Sequence, residues 1–242
     1  MLKKLKNYYY KKQFNPGIIG IFINPFYFSR KELYKNISKL SKQIHGKILD
    51  IGCGIKPYQH LFNYEEYIGL EWDTEENRRL KKADFFYDGK DFPFENETFD
   101  SIISTQVLEH IFEPEIFLKE MNRILKPNGN ILLSLPLTGQ EHEQPFDYGR
   151  YTSFGIKYLL EKNGFSIIEL KKSACGLKAI FQLINDYIYR ITSTRIRILD
   201  IIIRFFLITP VNIIGSILSF ILPRNQDIYL DNVVVAKKIR GA

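Results

Sequence analysis

The segment Ile48-Leu49-Asp50-Ile51-Gly52-Cys53-Gly54 carries a short apolar run into a Gly-x-Gly turn. Glycine lets a backbone bend sharply and meet a ligand with no side chain in between. Such a turn suits a nucleotide-type ligand. A dinucleotide fingerprint would add a third glycine, but Pro57 holds that place. Two acids follow at matching points, Glu71 in Gly69-Leu70-Glu71 and Asp88 in Asp88-Gly89. Glu71 stands at roughly the distance along the chain at which an acid can take both ribose hydroxyls. Either acid alone would pass for a solvated loop residue. Together with the turn, they fall in register at successive strand ends.

A second group sits in the long segment from Pro136 to Thr152, which is polar, aromatic and placed after a strand. His142 is the first candidate for a general base, because imidazole titrates near working pH. Glu141 or Glu143 would orient it. Arg150 could bind a phosphate or carboxylate on an acceptor. The plainer alternative is that Asp147, Arg150 and Tyr151 pin the loop by ion pair and hydrogen bond, and that His142 is a surface histidine. His110, in Val107-Leu108-Glu109-His110, is the second catalytic candidate, unless it only caps or packs before Pro114. Glu109, Arg150 and Tyr151 are the candidates for substrate contact. Nothing in the sequence points to a bound metal, and two cysteines cannot make a four-thiolate zinc site.

These residues need rigid elements behind them. Leu33, Ile37, Leu40 and Ile44 recur at helical spacing, which predicts a helix over 29–44 ended by His45-Gly46. Strands are expected at Lys47–Ile51, Tyr67–Leu70, Ala83–Tyr87, Phe99–Ser104, Ile131–Leu135, Phe165–Leu170 and Tyr229–Lys237. Pro114 opens a helix that Lys126-Pro127-Asn128-Gly129 should stop, and Phe154–Lys162 forms another. Strands alternating with helices over short connections imply a mostly parallel sheet covered on both faces.

The pieces in this order resemble the class I S-adenosylmethionine-dependent methyltransferases, in the branch near the small-molecule and quinone-type enzymes. They are Leu49-Asp50-Ile51-Gly52-Cys53-Gly54, Gly69-Leu70-Glu71, Asp88-Gly89 with Phe92-Pro93-Phe94, Phe99-Asp100, Val107-Leu108-Glu109-His110, and Arg123-Ile124-Leu125-Lys126-Pro127-Asn128-Gly129. The resemblance covers about Gly46 to Leu170 and the last strand. It implies a Rossmann-like, doubly wound α/β fold. Its seven-stranded, mostly parallel sheet would have an antiparallel last strand inserted between the fifth and sixth. It implies S-adenosylmethionine as cofactor. Gly52, Cys53 and Gly54 would pass under the methionine part, with Asp50 supporting the turn. Glu71 would bind ribose, although Asp73 could compete. Asp88 would meet the adenine amino group with Gly89 nearby, and Gln106 would touch the methionine end. The family's usual double glycine after Pro127 is Asn128-Gly129 here.

The sequence also argues against some acceptors. Methylation of base amino groups uses an Asn/Asp-Pro-Pro-aromatic turn where this chain has Ser104-Thr105-Gln106-Val107. Carbon methylation of cytosine needs a cysteine, but Cys53 lies in the glycine turn and Cys175 beyond the sixth strand. Nucleic acid is therefore the weaker partner, despite a net charge of +7. The loop from His142 to Thr152 looks like that of methyltransferases associated with bacterial surface polysaccharides. O-methylation of a small, glycan or lipid-linked acceptor is the leading reading. The alternatives are a non-catalytic, membrane- or partner-associated module on this fold, and a nicotinamide-dependent dehydrogenase.

At 242 residues the chain suits one large domain or a domain with an appendage. The reading divides it into a basic, aromatic N-terminal arm and helix (1–45), a core (46–176 and 226–240), and a hydrophobic helical insertion (177–225). The arm carries Lys3, Lys4, Lys6, Lys11, Lys12 and Tyr8-Tyr9-Tyr10. The insertion contains Phe205 to Leu222, 18 residues without a charge. Around that run lie Lys178, Arg190, Arg195, Arg197, Arg204 and Arg224 against Asp186 and Asp200. Length alone makes the run a transmembrane candidate. However, the strands on either side must return to one sheet, which argues against a single crossing, and Pro210, Asn212 and Ser216 weaken it further. A basic, apolar helical pair at an anionic membrane surface fits better, with a pocket cap or an oligomer interface as alternatives. Two cysteines and no disulfide framework suit a cytoplasmic location, peripheral at the inner face of the membrane.

Overall fold

A computed structural model describes residues 12–80, 82–192, 197–239 and 241. Lys3, Lys4, Lys6, Lys11, Tyr8-Tyr9-Tyr10 and Arg195 lie outside the described residues. Among the described residues there are seven strands: β1 (Lys47–Ile51), β2 (Glu66–Trp72), β3 (Phe85–Tyr87), β4 (Phe99–Thr105), β5 (Leu125–Pro136), β6 (Phe165–Ser173) and β7 (Asp231–Lys238). They form one sheet in the order β3-β2-β1-β4-β5-β7-β6. β1 pairs in parallel with β2 and β4, β2 with β3, and β4 with β5. The last strand is antiparallel and lies between β5 and β6, as the resemblance implied. The strand order reverses at β1 and β4, which is where an open α/β sheet leaves a crevice at its carboxyl ends.

Helices are α1 (Gly20–Ile23), α2 (Tyr27–Leu40), α3 (Glu75–Leu80), α4 (Pro114–Ile124), α5 (Ser153–Lys162), α6 (Leu177–Thr192), α7 (Arg197–Ile203) and α8 (Thr209–Ile221). A π-helical stretch, Arg204–Ile208, joins α7 to α8. α2 starts and stops earlier than its apolar spacing suggested, and a 3-10 turn at Ser41–Gln43 brings Ile44 onto the same buried stripe. Pro114 opens α4, whose Phe117, Leu118, Met121 and Ile124 are buried. Thr152 caps α5 by accepting from the Gly155 N–H at 3.0 Å.

One boundary differs in kind from the sequence reading. Lys126-Pro127-Asn128-Gly129 does not separate a helix from a strand; β5 already begins at Leu125. The register against β4 jumps there, from Phe99 opposite Leu125 to Ser101 opposite Asn130, so the turn is absorbed as a bulge. Asn128 takes the left-handed conformation, φ 64°, that asparagine tolerates better than most residues. A Cβ on Gly129 would lie 2.9 Å from the Asp100 carbonyl oxygen, so only glycine fits. The buried Lys238 closes this corner. Its ammonium donates to the carbonyls of Asn122 (2.8 Å) and Leu125 (2.7 Å), the freed acceptors at the end of α4.

The chain divides into two compact units. One comprises residues 36–137, 141–171 and 232 onward, and holds the sheet. Its core gathers Leu49, Ile51, Leu70, Phe99, Ile102, Met121, Leu133 and Phe165 between strands and helices. The other comprises the described residues through Lys35, 138–140 and 172–231. It is helical, and it holds described residues of the N-terminal segment together with the insertion.

Candidate functional site at the strand tips

β1 ends in the turn, and each glycine there meets a neighbouring strand. Gly52 adopts φ +68°, and its N–H donates to the Leu70 carbonyl at 2.9 Å. A Cβ on Gly52 would lie 2.3 Å from Cγ2 of Val107, just beyond β4, so nothing larger fits. The Gly54 N–H donates to Oε2 of Glu71 at 2.9 Å. Glu71 is almost fully buried at the tip of β2. Asp73, the competing acid, instead pairs with Arg78 at 2.5 and 2.7 Å on the surface.

Asp50 lies under the turn, 4% exposed, and its Oδ2 accepts from the Tyr67 hydroxyl at 2.6 Å. Burial pushes its carboxyl up to about 7; the Tyr67 hydroxyl and the Lys56 charge oppose this, and the Glu71 charge adds to it. Cys53 is buried, and burial together with the Asp50 and Glu71 charges drives its thiol far up. That thiol is no nucleophile. Lys56 pairs with Asp84 at 2.5 Å, and Asp84 also accepts from the Gly69 N–H at 2.7 Å.

Beyond β3, Asp88 and Gly89 are exposed, and Asp88 accepts from the Lys90 N–H at 3.0 Å. A Cβ on Gly89 would lie 3.5 Å from the indole nitrogen of Trp72. Trp72 is half-exposed and stands edge-on to Phe146, with ring centroids 5.3 Å apart. Tyr67 and Trp72 belong to no motif that marks them in the sequence. Trp72 was findable as the chain's one tryptophan, directly after the tip acid. Gln106 takes φ 57°; its N–H donates to the Ser134 carbonyl at 2.7 Å and its amide to the Ser134 hydroxyl at 3.3 Å.

The second group assembles around Glu109, whose side chain is fully buried in a 3-10 turn (Leu108–His110). The Glu109 carbonyl accepts from the N–H groups of Tyr148 (2.8 Å) and Gly149 (3.1 Å), which ties down the long loop. His142 and His110 each place Nε2 3.9 Å from Glu109 Oε1, with ring centroids 4.8 Å apart at 79°. His110 Nδ1 sits 2.6 Å from the Phe146 carbonyl, an oxygen that can only accept. Nδ1 of His142 lies 3.3 Å from Asp147 Oδ2, which also accepts from the His142 N–H at 3.0 Å. Asp147 in turn forms a forked pair with the Arg150 guanidinium. The fork holds its carboxyl below the usual carboxylate range, against the effect of burial.

Asp147, rather than an immediate neighbour such as Glu141 or Glu143, is the acid that meets both the ring and the backbone N–H of His142. Glu141 accepts from the Gln144 amide, and Glu143 lies 3.9 Å from His110 Nε2. Both terminal nitrogens of Arg150 donate to Asp147 in the forked pair. Tyr151 is half-buried, and its carbonyl accepts from the Asn232 amide at 2.7 Å. One donor atom each from Glu109, His110 and His142 lie within 4.8 Å of one another, a set whose chemistry suits a divalent cation.

Residues 26–170, more than half of the chain, match the family model described as a methyltransferase domain. The chain belongs to that family, and its fold is that of the class I S-adenosylmethionine-dependent methyltransferases. It is 26% identical over 165 residues to a protein of Mycolicibacterium smegmatis named "Probable S-adenosylmethionine-dependent methyltransferase", covering 65% of this chain and 62% of that one. Two curated relatives are spanned over only 60% and 62% of their own lengths. Among solved structures, a SAM-dependent methyltransferase from Archaeoglobus fulgidus is similar with a TM-score of 0.54 and 16% identity, over 88% of this chain and 97% of that one. The [4+2]-cyclase SpnF is similar with a TM-score of 0.57 and 16% identity, over 86% and 81%. At such identity the likeness is one of fold, and the cyclase shows that this fold hosts other chemistry. The family match decides against the nicotinamide dehydrogenase.

Two outcomes follow from the turn. In the unfolded chain the Asp50 carboxyl ionises near 3.8, and in the folded one near 7. Between those values the folded chain holds a proton that the unfolded chain has lost, so stability falls as pH rises through that window. Relative to Asp50→Asn, the wild type should lose several degrees of Tm between pH 5 and pH 8, read by thermal melts; parallel curves would contradict it. Gly52→Ala should displace Val107 and weaken nucleoside binding about tenfold or more, read by calorimetry, at a cost of order 1 kcal/mol for the left-handed backbone alone. Adding Val107→Ala should restore part of that affinity; no restoration would place the constraint elsewhere.

Proposed function

We propose that this protein binds S-adenosylmethionine at the carboxyl ends of β1 to β4 and O-methylates a glycan or lipid-linked acceptor. The observation that carries the reading is the side-chain-free turn locked to Glu71, with the His142–Asp147–Arg150 chain anchored to Glu109 on the segment that follows β4. The residues suit the cofactor. Gly52 holds a left-handed turn, closed against Val107, whose backbone carries no side chain, and Glu71 presents a carboxylate at the tip. In this reading Gly52, Cys53 and Gly54 would hold the methionine part, with Asp50 supporting the turn. Glu71 would bind the ribose. Asp88, Gly89 and the Trp72 indole would receive the adenine, and Gln106 would touch the methionine end. When bound, the cofactor supplies an electrophilic methyl group on a sulfonium.

The chain's own work is to position the acceptor and move its proton. With Nδ1–H directed at Asp147, the lone pair of His142 lies on Nε2, and the acceptor hydroxyl gives its proton to that atom. Glu109 stabilises the resulting imidazolium from 3.9 Å, and the Arg150 fork keeps Asp147 ionised and still. His110 lies beside it as a second imidazole, and Tyr151 remains a candidate contact for the acceptor. A positioned base of this kind contributes about 10²–10⁴ in rate.

The test is transfer of a labelled methyl group to a polysaccharide and polar-lipid extract, with the product bond identified by mass spectrometry. O-linked label is expected. His142→Ala should lower turnover at least about tenfold while leaving cofactor affinity nearly intact. Equal turnover in that variant would remove His142 from the mechanism, and cofactor binding without transfer to any extract would favour a non-catalytic module.

A further inference from the structure

The helical unit is built with its polarity reversed. In α6 the buried positions are Ala179, Gln182 and Asn185, and in α8 they are Thr209, Asn212 and Gly215. Both sets repeat at every third residue, so each marks one helix face. The interior they make is hydrogen-bonded. The Gln182 side-chain carbonyl accepts from the N–H groups of Phe28 (3.1 Å) and Ser29 (3.2 Å), and its amide donates to the Pro25 carbonyl (2.8 Å). The Asn185 amide donates to the Asn212 side chain at 2.8 Å, and Asn212 donates to the Ile21 carbonyl at 2.9 Å. The Thr209 hydroxyl donates to the Phe22 carbonyl at 2.8 Å. At Gly215 the packing is so close that a Cβ would lie 2.6 Å from the Phe181 ring.

Most of the large apolar side chains of these two helices point outward, while Ile208 just before α8 is buried. Ile184, Tyr187, Ile191, Ile217, Phe220 and Ile221 are all exposed, Phe220 by 91%. Arg204–Ile221 is long and apolar enough to cross a membrane, and only 22% of it is buried. A unit folding in water does the opposite, because burying apolar area is its main driving force. Amides and small residues between helices, with isoleucine and phenylalanine outside, is the arrangement that hydrocarbon favours.

We infer that this helical unit seats its apolar outer face in the surface of an anionic lipid bilayer, embedded from one side. Charge selects the lipid: the segment from 177 to 224 carries six basic residues and two acidic ones, within a chain of net charge +7. Arg190 and Arg224, near the ends of the apolar helices, are exposed and can reach headgroups. Topology argues against a single crossing, and a returning pair would need α6 to span as well, whose 16 residues fall short of the ~20 that a hydrocarbon core requires. The chain leaves the sheet after β6 and re-enters it at β7, its neighbour, so both ends of the segment return to one side. The inference is independent of the chemistry at the strand tips.

The experiment is flotation of the full-length protein with vesicles of phosphatidylcholine mixed with phosphatidylglycerol, and with phosphatidylcholine alone. The protein should float with the anionic vesicles and float less with the neutral ones. The double variant Ile217→Asp, Phe220→Asp should lose partitioning about tenfold or more, with unchanged circular dichroism. Should that variant fail to fold, Phe220→Trp gives a second reading. The fluorescence of the introduced indole, taken as the difference from the parent protein, should shift to the blue and be quenched by brominated lipid. Full-length protein that stays at the bottom of the gradient with anionic vesicles would overturn the inference. So would an indole signal that is blue-shifted without lipid, insensitive to brominated lipid and dependent on protein concentration, since the face would then be a contact between two copies of the chain.

Discussion

The hydrogen bond from the Gly54 N–H to the Glu71 carboxylate is the constraint on which the site depends. It ties the tip of β1 to the tip of β2, and the parallel register makes it possible by setting Asp50 opposite Gly69 and Ile51 opposite Leu70. The same register lets the Leu70 carbonyl take the Gly52 N–H, while Val107 beyond β4 fills the space that a Gly52 side chain would need. Three neighbouring strand ends are thus interlocked through one turn. A bond from a backbone amide to an ionised carboxylate is roughly twice as strong as a neutral one. The arrangement also concentrates negative charge. Asp50, Glu71 and Asp84 crowd the same corner, and the repulsion is relieved by the Tyr67 hydroxyl, by Lys56 and by retention of a proton on Asp50.

Much of this was legible because it is local. Strand β1 was readable to the residue, since an unbroken apolar run ends in glycines whose backbone cannot continue a strand. Glu71 and Asp88 were readable from their places at strand ends. What depended on tertiary contact was not. The partner of His142 was sought among its neighbours Glu141 and Glu143, but the loop folds back to bring Asp147 against it, with the Glu109 carbonyl as anchor. The bulge at Lys126–Gly129 read as a helix stop because its register jump is visible only beside β4. Tyr67 looked like an ordinary strand residue; its role depends on Asp50 in the neighbouring strand.

The two units follow opposite rules. The sheet unit buries isoleucine, leucine and phenylalanine between its layers. In the helical unit, α6 and α8 bury amides and show most of their isoleucines. In sequence the isoleucine-rich segment gives no sign of which face turns inward, so its stripe of Gln182, Asn185, Thr209 and Asn212 is hidden until the helices are seen packed. Its continuity with the N-terminal segment was equally hidden, because residues 25–29 supply backbone partners to Gln182 from far along the chain.

The most direct measurement is a calorimetric titration of S-adenosylhomocysteine into the wild type and Glu71→Ala, with NAD as the control ligand. The account predicts one site on the wild type, no binding of NAD, and a loss of about tenfold or more in Glu71→Ala, as expected for a charge-assisted pair of hydrogen bonds. Equal affinity in the variant, or no binding of S-adenosylhomocysteine to the wild type, would contradict it.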